Sequence, residues 1–120
     1  MTACLRKNTA RGLMFTLLLI LPGIVTAASF SCAGVTSPDE IAICADQGLS
    51  EKDVRMATTY HLLQQLVLMG AHGALQDEQA AWLHKRRQCG NNTVCLSYLY
   101  DSRLDMLNSQ YQQITSSLNR

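Results

Sequence analysis

Apolar residues recur along this chain at helical rather than strand spacing. Met56, Tyr60, Leu63 and Val67 fall three or four apart, with Leu62, Leu66 and Met69 widening the stripe. This is the repeat of a helix that buries one face. Leu75, Gln79, Trp82 and Arg86 share a second face, whose apolar part Leu83 widens, and Leu96, Leu99, Leu104 and Leu107 with Tyr100 alongside give a third. No alternating run or hairpin signal competes with these stripes.

The punctuation between stripes sets the boundaries. Ser37, Pro38, Asp39 and Glu40 read as an N-cap, a proline in the first turn and a glutamate closing a capping box, so a short helix is predicted from Pro38 to about Asp46. Gly48 ends it. Ser50 with Asp53 opens a longer second helix, with Leu49 and Val54 as a hydrophobic staple. Gly70 and Gly73 around Ala71 and His72 predict a break before a third helix. Asp77 and Glu78 fall in its first turn and Lys85, Arg86 and Arg87 in its last, the polarity a helix dipole favours. Asn92 or Thr93 caps a fourth, and residues 112–120, rich in Gln, Ser and Asn, read as a polar, fraying tail. The expected fold is all-α: a small helical hairpin bundle of about four helices.

The first residues follow a different pattern. Arg6, Lys7 and Arg11 precede an uncharged run from Leu13 to Leu21, then Pro22 and Gly23, then the small residues Thr26, Ala27 and Ala28. That order is a secretory signal peptide over residues 1–28, with cleavage after Ala27 or Ala28. Ser29, Phe30 and Ser31 before Cys32 do not form a lipid-attachment signal. The expected domain occupies residues 29–111, without stable membrane insertion after cleavage. Localisation is expected to be outside the cytoplasm, periplasmic or secreted.

Removing such a leader changes the charge. Three of the ten Lys and Arg lie in it and none of the nine Asp and Glu, leaving seven basic against nine acidic residues. No basic footprint for nucleic acid remains.

Four of the five cysteines, Cys32, Cys44, Cys89 and Cys95, lie beyond the leader; only Cys4 is within it. In an oxidising compartment an even number reads as a disulfide framework, which a domain of about ninety residues uses to supplement a small core. Three pairings are possible. The local ones are favoured: Cys89 and Cys95 flank the turn-rich Gly90, Asn91, Asn92, Thr93 and Val94, and Cys32 can fold back onto Cys44. Neither spacing is that of a zinc knuckle.

Taken together, Cys32, Pro38, Glu40, Ile43, Cys44, Ala45, Asp46, Leu49, Asp53 and Tyr60 resemble the opening motif of the LprI-like lysozyme-inhibitor family of exported bacterial proteins. Gln79, Trp82, Leu83, Arg86 and Cys89 resemble that family's Q-x-x-W-L-x-x-R signature with its following cysteine, and Cys95, Tyr100, Arg103 and Leu107 extend the likeness to about Tyr111. Val54 and the Gly70 to Gly73 stretch depart from it. The resemblance implies a protein that binds and blocks a lysozyme-type muramidase. The alternative is a non-catalytic envelope module that binds another exported protein through a helix face.

An inhibitor must occlude a cleft holding two carboxyl groups, which a stiff loop with hydrogen-bond donors can do. Asn91, Asn92 and Thr93 at the tip of the Cys89 to Cys95 loop, Arg86 and Arg87 at its base, and His72 in the glycine turn are the partner-binding candidates. Asp53, Tyr60, Gln79, Trp82, Arg86 and Arg103 are expected to be structural instead, with Trp82 in the core and the others in a partly buried polar network. Catalysis is not expected. Asp39 with Glu40, and Asp77 with Glu78, are successive helical residues that point about 100° apart, and neither a nucleophile elbow nor a phosphate loop is present. No cofactor is called for. His61, His72 and His84 with Met56, Met69 and Met106 raise periplasmic copper, but no two histidines are four apart and Met is ordinary core filler.

Overall fold

The structure, a computed structural model, describes residues 28–120. The expected leader, apart from Ala28, lies outside the described residues. Four helices form: α1 (Pro38–Ala45), α2 (Gln47–Leu66), α3 (Met69–Gln88) and α4 (Thr93–Leu118). No strand occurs among the described residues. Short connections make α2 and α3, then α3 and α4, antiparallel neighbours. As a result α2 and α4 run parallel, and Lys52 on α2 reaches both Ser97 and Asp101 on α4, at 2.8 and 2.7 Å.

Each helix contributes its stripe to one core. Ile43 comes from α1; Leu49, Met56 and Leu63 from α2; Leu75 and Trp82 from α3; and Leu96, Tyr100, Leu104 and Leu107 from α4. Leu75, Gln79, Trp82 and Arg86 are all buried, as their shared face requires. The α2 stripe is narrower than the sequence suggests. Leu62 and Leu66 are exposed, Tyr60 is half-buried, and Val67 is already the C-cap.

Cys32 is bonded to Cys44 and Cys89 to Cys95, with Cα atoms 5.8 and 5.7 Å apart. The fold is thus a helical bundle stapled at two places, and disulfides of this kind persist in oxidising compartments. No helix among the described residues is long and apolar enough to cross a membrane.

Several boundaries differ from the pattern-based expectation. The cap of α2 is Asp46, whose carboxylate accepts from the Leu49 N–H at 2.9 Å, so Gly48 lies inside the first turn rather than ending α1. Ser50 is consequently a buried helical residue whose hydroxyl donates to the Ile43 carbonyl at 2.6 Å. Val54 is exposed and forms no staple. The Ser37 to Glu40 capping box is not made. Ser37 donates to Asp39 instead, and Glu40 turns to Arg86. Gly70 and Gly73 do not break the chain: α3 begins at Met69, and the turn into it is only Val67 and Leu68. The polar tail is helical to Leu118, with Ile114 packed against the core, and the hydroxyls of Thr115, Ser116 and Ser117 find partners in carbonyls one turn earlier.

Candidate functional site

The most concentrated chemistry lies where α1 crosses the end of α3 and the starts of α2 and α4. Asp39 and Asp53 are fully buried and Arg86 is 4% exposed. Arg86 Nε donates to Asp39 Oδ2 at 2.8 Å, its Nη2 reaches Glu40 at 3.4 Å, and its Nη1 faces Tyr100 Oη at 3.5 Å. Tyr100 donates in turn to Asp53 Oδ1 at 2.8 Å. The ring of Phe30 lies over the guanidinium, 5.6 Å from its carbon, and Trp82 meets the Tyr100 ring edge-on at 5.1 Å. No buried side-chain nitrogen or oxygen among the described residues lacks a partner.

Protonation follows from these contacts. Burial pushes the Asp39 carboxyl up, but the Ser37 hydroxyl and the Arg86 guanidinium outweigh it and hold the group below its ordinary range. Burial works against the charge on Arg86, yet Tyr100 and Asp39 leave it more firmly protonated than usual. Burial, reinforced by the Asp53 charge, raises the Tyr100 phenol far above its usual value. Tyr100 is therefore a neutral donor and not a proton acceptor.

Next along the bundle sits a second, separate pair. Arg103 donates through Nε and Nη2 to Gln79 Oε1 at 3.2 and 3.0 Å, while Gln79 Nε2 points at the Met56 sulfur, 3.3 Å away. The single network expected from the sequence is therefore two clusters, and Tyr60 belongs to neither: its hydroxyl accepts from Gln64 on the surface. Trp82 is core, its indole N–H donating to the Leu99 carbonyl at 3.2 Å.

Two members were not foreseen. Asp39 reads in sequence as a first-turn charge, but it stands four residues before Ile43, on the face that α1 buries. That spacing is the signal that identifies it. Tyr100 lies four residues after Leu96 and carries its hydroxyl into the core by the same logic.

The partner-binding candidates separate by exposure. Arg86 is enclosed and tied to α1, so it cannot reach a partner. Asn92 is exposed but caps α4, its side chain accepting from the Cys95 N–H at 3.0 Å. Arg87, Asn91 and Thr93 are exposed at the rim of the disulfide-closed loop, where Gly90 takes the positive φ of 54° that turns the chain. Val94 and Tyr98 stand beside them, 79% and 70% exposed. His72 is half-buried in the first turns of α3, not on a protruding turn. His61 contacts Gln64 and His84 contacts Gln88 on exposed surface.

Compared with known proteins, no family model matches the chain, and no curated protein or solved structure matches it either.

Proposed function

We propose that this is an exported periplasmic protein that binds and blocks a lysozyme-type muramidase, through the loop closed by Cys89 and Cys95. The observation that carries this reading is a disulfide-closed tip of exposed polar groups mounted on the end of the bundle that holds the buried ionic cluster. Thr93 and Asn91 supply neutral donors at the tip and Arg87 a cation at its base. A muramidase cleft presents two carboxyl groups, which such donors complement. Because the loop is fixed before docking, little conformational entropy is lost on binding. The motif resemblance supports the same reading. Nothing in this role asks the protein to do chemistry, and Asp39 and Asp53 are committed to Arg86 and Tyr100.

Purified oxidised protein is expected to slow cell-wall lysis when equimolar with the muramidase, and reductant is expected to abolish the effect. Complete lysis at a large excess of the oxidised protein, across several lysozyme types, would overturn the proposal.

Val94 and Tyr98 favour one second reading. They leave an apolar strip along the first turns of α4, suited to another exported protein. Copurification with an envelope protein, without any lysozyme, would select this adaptor role.

A further inference from the structure

The arm before α1 begins with an unusual hydrogen bond. The main-chain nitrogen of Ser29 donates to Asp53 Oδ2 at 2.7 Å, joining the chain's expected processing point to a carboxylate with no exposure to water. Asp53 has no full ionic partner of its own. The nearest guanidinium nitrogen, Arg86 Nη1, is 3.8 Å from its other oxygen, whereas Arg86 gives its short bond to Asp39. Two fully buried carboxylates thus share one cation. Around them, Glu40 on α1 adds further negative charge, Tyr100 on α4 is neutral, and His61 on α2 and Arg87 on α3 line the outer edge of the same cleft of about 500 Å³. A buried carboxylate with less than a full counter-charge is costly, and besides the distant guanidinium Asp53 receives only dipoles, from the Tyr100 hydroxyl at 2.8 Å and the Ser29 N–H.

We propose that the chain is cleaved between Ala28 and Ser29, and that the α-ammonium group created on Ser29 is the missing cation, paired with Asp53. Water adds across the Ala28 to Ser29 peptide bond. Ala28 leaves as a carboxylate, and the amine on Ser29 takes up a proton at neutral pH. The bond lies where a leader peptidase acts: Ala28 and Thr26, the first and third residues before it, are both small. The arm is built to hold the new terminus in place, since Phe30 packs over Arg86 and Cys32 is bonded to Cys44. Ala28 is only 4% exposed and the Ser29 nitrogen is engaged, so a folded domain shields the bond. Cleavage accordingly precedes folding, and folding then captures the amine. This inference rests on the export half of the proposed function and is independent of lysozyme binding.

The test is to express the full chain with its own leader in a bacterium and to determine the first residue of the oxidised periplasmic product by terminal sequencing and intact mass. Ser29 is expected. A product beginning at Ala28, or at any other residue, overturns the inference while leaving export standing; a chain that keeps residues 1–28 overturns both. The amine itself is read by acylation at about pH 6, well below the ordinary value of an α-amine. Each unit by which the ion pair raises its pKa lowers the reactive fraction about tenfold, so native protein is expected to react at least about tenfold more slowly than the same chain reduced in urea. Equal rates would overturn the pairing. Asp53→Asn, provided it folds, is expected to remove the protection, and protection that persists in that folded variant would also overturn it.

Discussion

The two ends of the bundle are built on different principles. At the clipped end, where α1 meets the starts of α2 and α4, both disulfides and a buried ionic cluster converge, and the two long helices that start there carry side-chain caps, Asp46 and Asn92. At the open end, where α2 turns into α3, the contacts are apolar and fewer: Leu63, Leu75 and Leu107 with half-buried Val67 and Ile114. There Leu68 is 84% exposed, stands in the N-cap position of α3 without a side-chain bond, and is followed by two glycines. The difference teaches where a small disulfide-stapled domain concentrates its order. The clipped end carries a unique arrangement of charges and the stiff loop; the open end only closes the hairpin.

The largest test of this contrast is to unbalance the ionic cluster. Arg86→Leu leaves Asp39 buried without its guanidinium and is expected to cost about 3–5 kcal/mol, read as the shift in urea unfolding. A loss under about 1 kcal/mol would mean that the cluster is not holding α1.

Next in size are the staples. Replacing Cys89 and Cys95 together by serine, or Cys32 and Cys44 together, is expected to cost about 2–3 kcal/mol per pair by the chain-entropy argument. Only the first replacement should weaken the proposed muramidase binding sharply. If both weaken it equally, loop stiffness is not the determinant.

Acid provides a smaller, graded test. Because Asp39 is held below its ordinary range, its contribution is present above the unfolded value of about 3.9 and disappears as pH falls through the lowered folded value. The melting temperature of the native protein should drop through this acid range, and folded Asp39→Asn should start lower and show a shallower drop. Parallel curves would contradict the assignment.

These same residues show how much was legible in the chain. Four helices and most of their inward faces follow from apolar spacing and turn residues; the cysteine count indicates a disulfide framework, but it leaves three pairings, among which the local one is favoured rather than fixed. The charged partners do not follow, because periodicity treats Asp39 as polar and therefore outward. Only its four-residue offset from Ile43 places it inside. Helix starts were misread for a related reason: Ser50 and Asp46 are both good caps, and the choice of Asp46 depends on Ser50 being needed by the Ile43 carbonyl across the α1 to α2 corner. Gly70 and Gly73 were read as a break, yet a short hairpin and the packing of Leu75 keep them helical. The loop candidates could be named from sequence, but only burial separates Arg86, which is structural, from Arg87, which is free to meet a partner.

The smallest effects lie at the open end and have the opposite sign. Leu68→Asp supplies the missing cap and should stabilise by about 1 kcal/mol. Gly73→Ala, where an added Cβ meets nothing within 4 Å, should add about 0.5–1 kcal/mol. Neither should change the proposed muramidase inhibition. If either does, the open end is part of the binding surface.

The most direct measurement is residue-resolved amide hydrogen exchange of the oxidised protein, alone and with equimolar muramidase. Alone, the amides around Asp53, Arg86 and Tyr100 should exchange most slowly and those from Val67 to Ala74 fastest among the helices and turns; with muramidase, new protection should appear at Asn91, Thr93 and Val94 and not at the open end. Uniform exchange along the bundle, or protection confined to residues 67–74, would contradict the account.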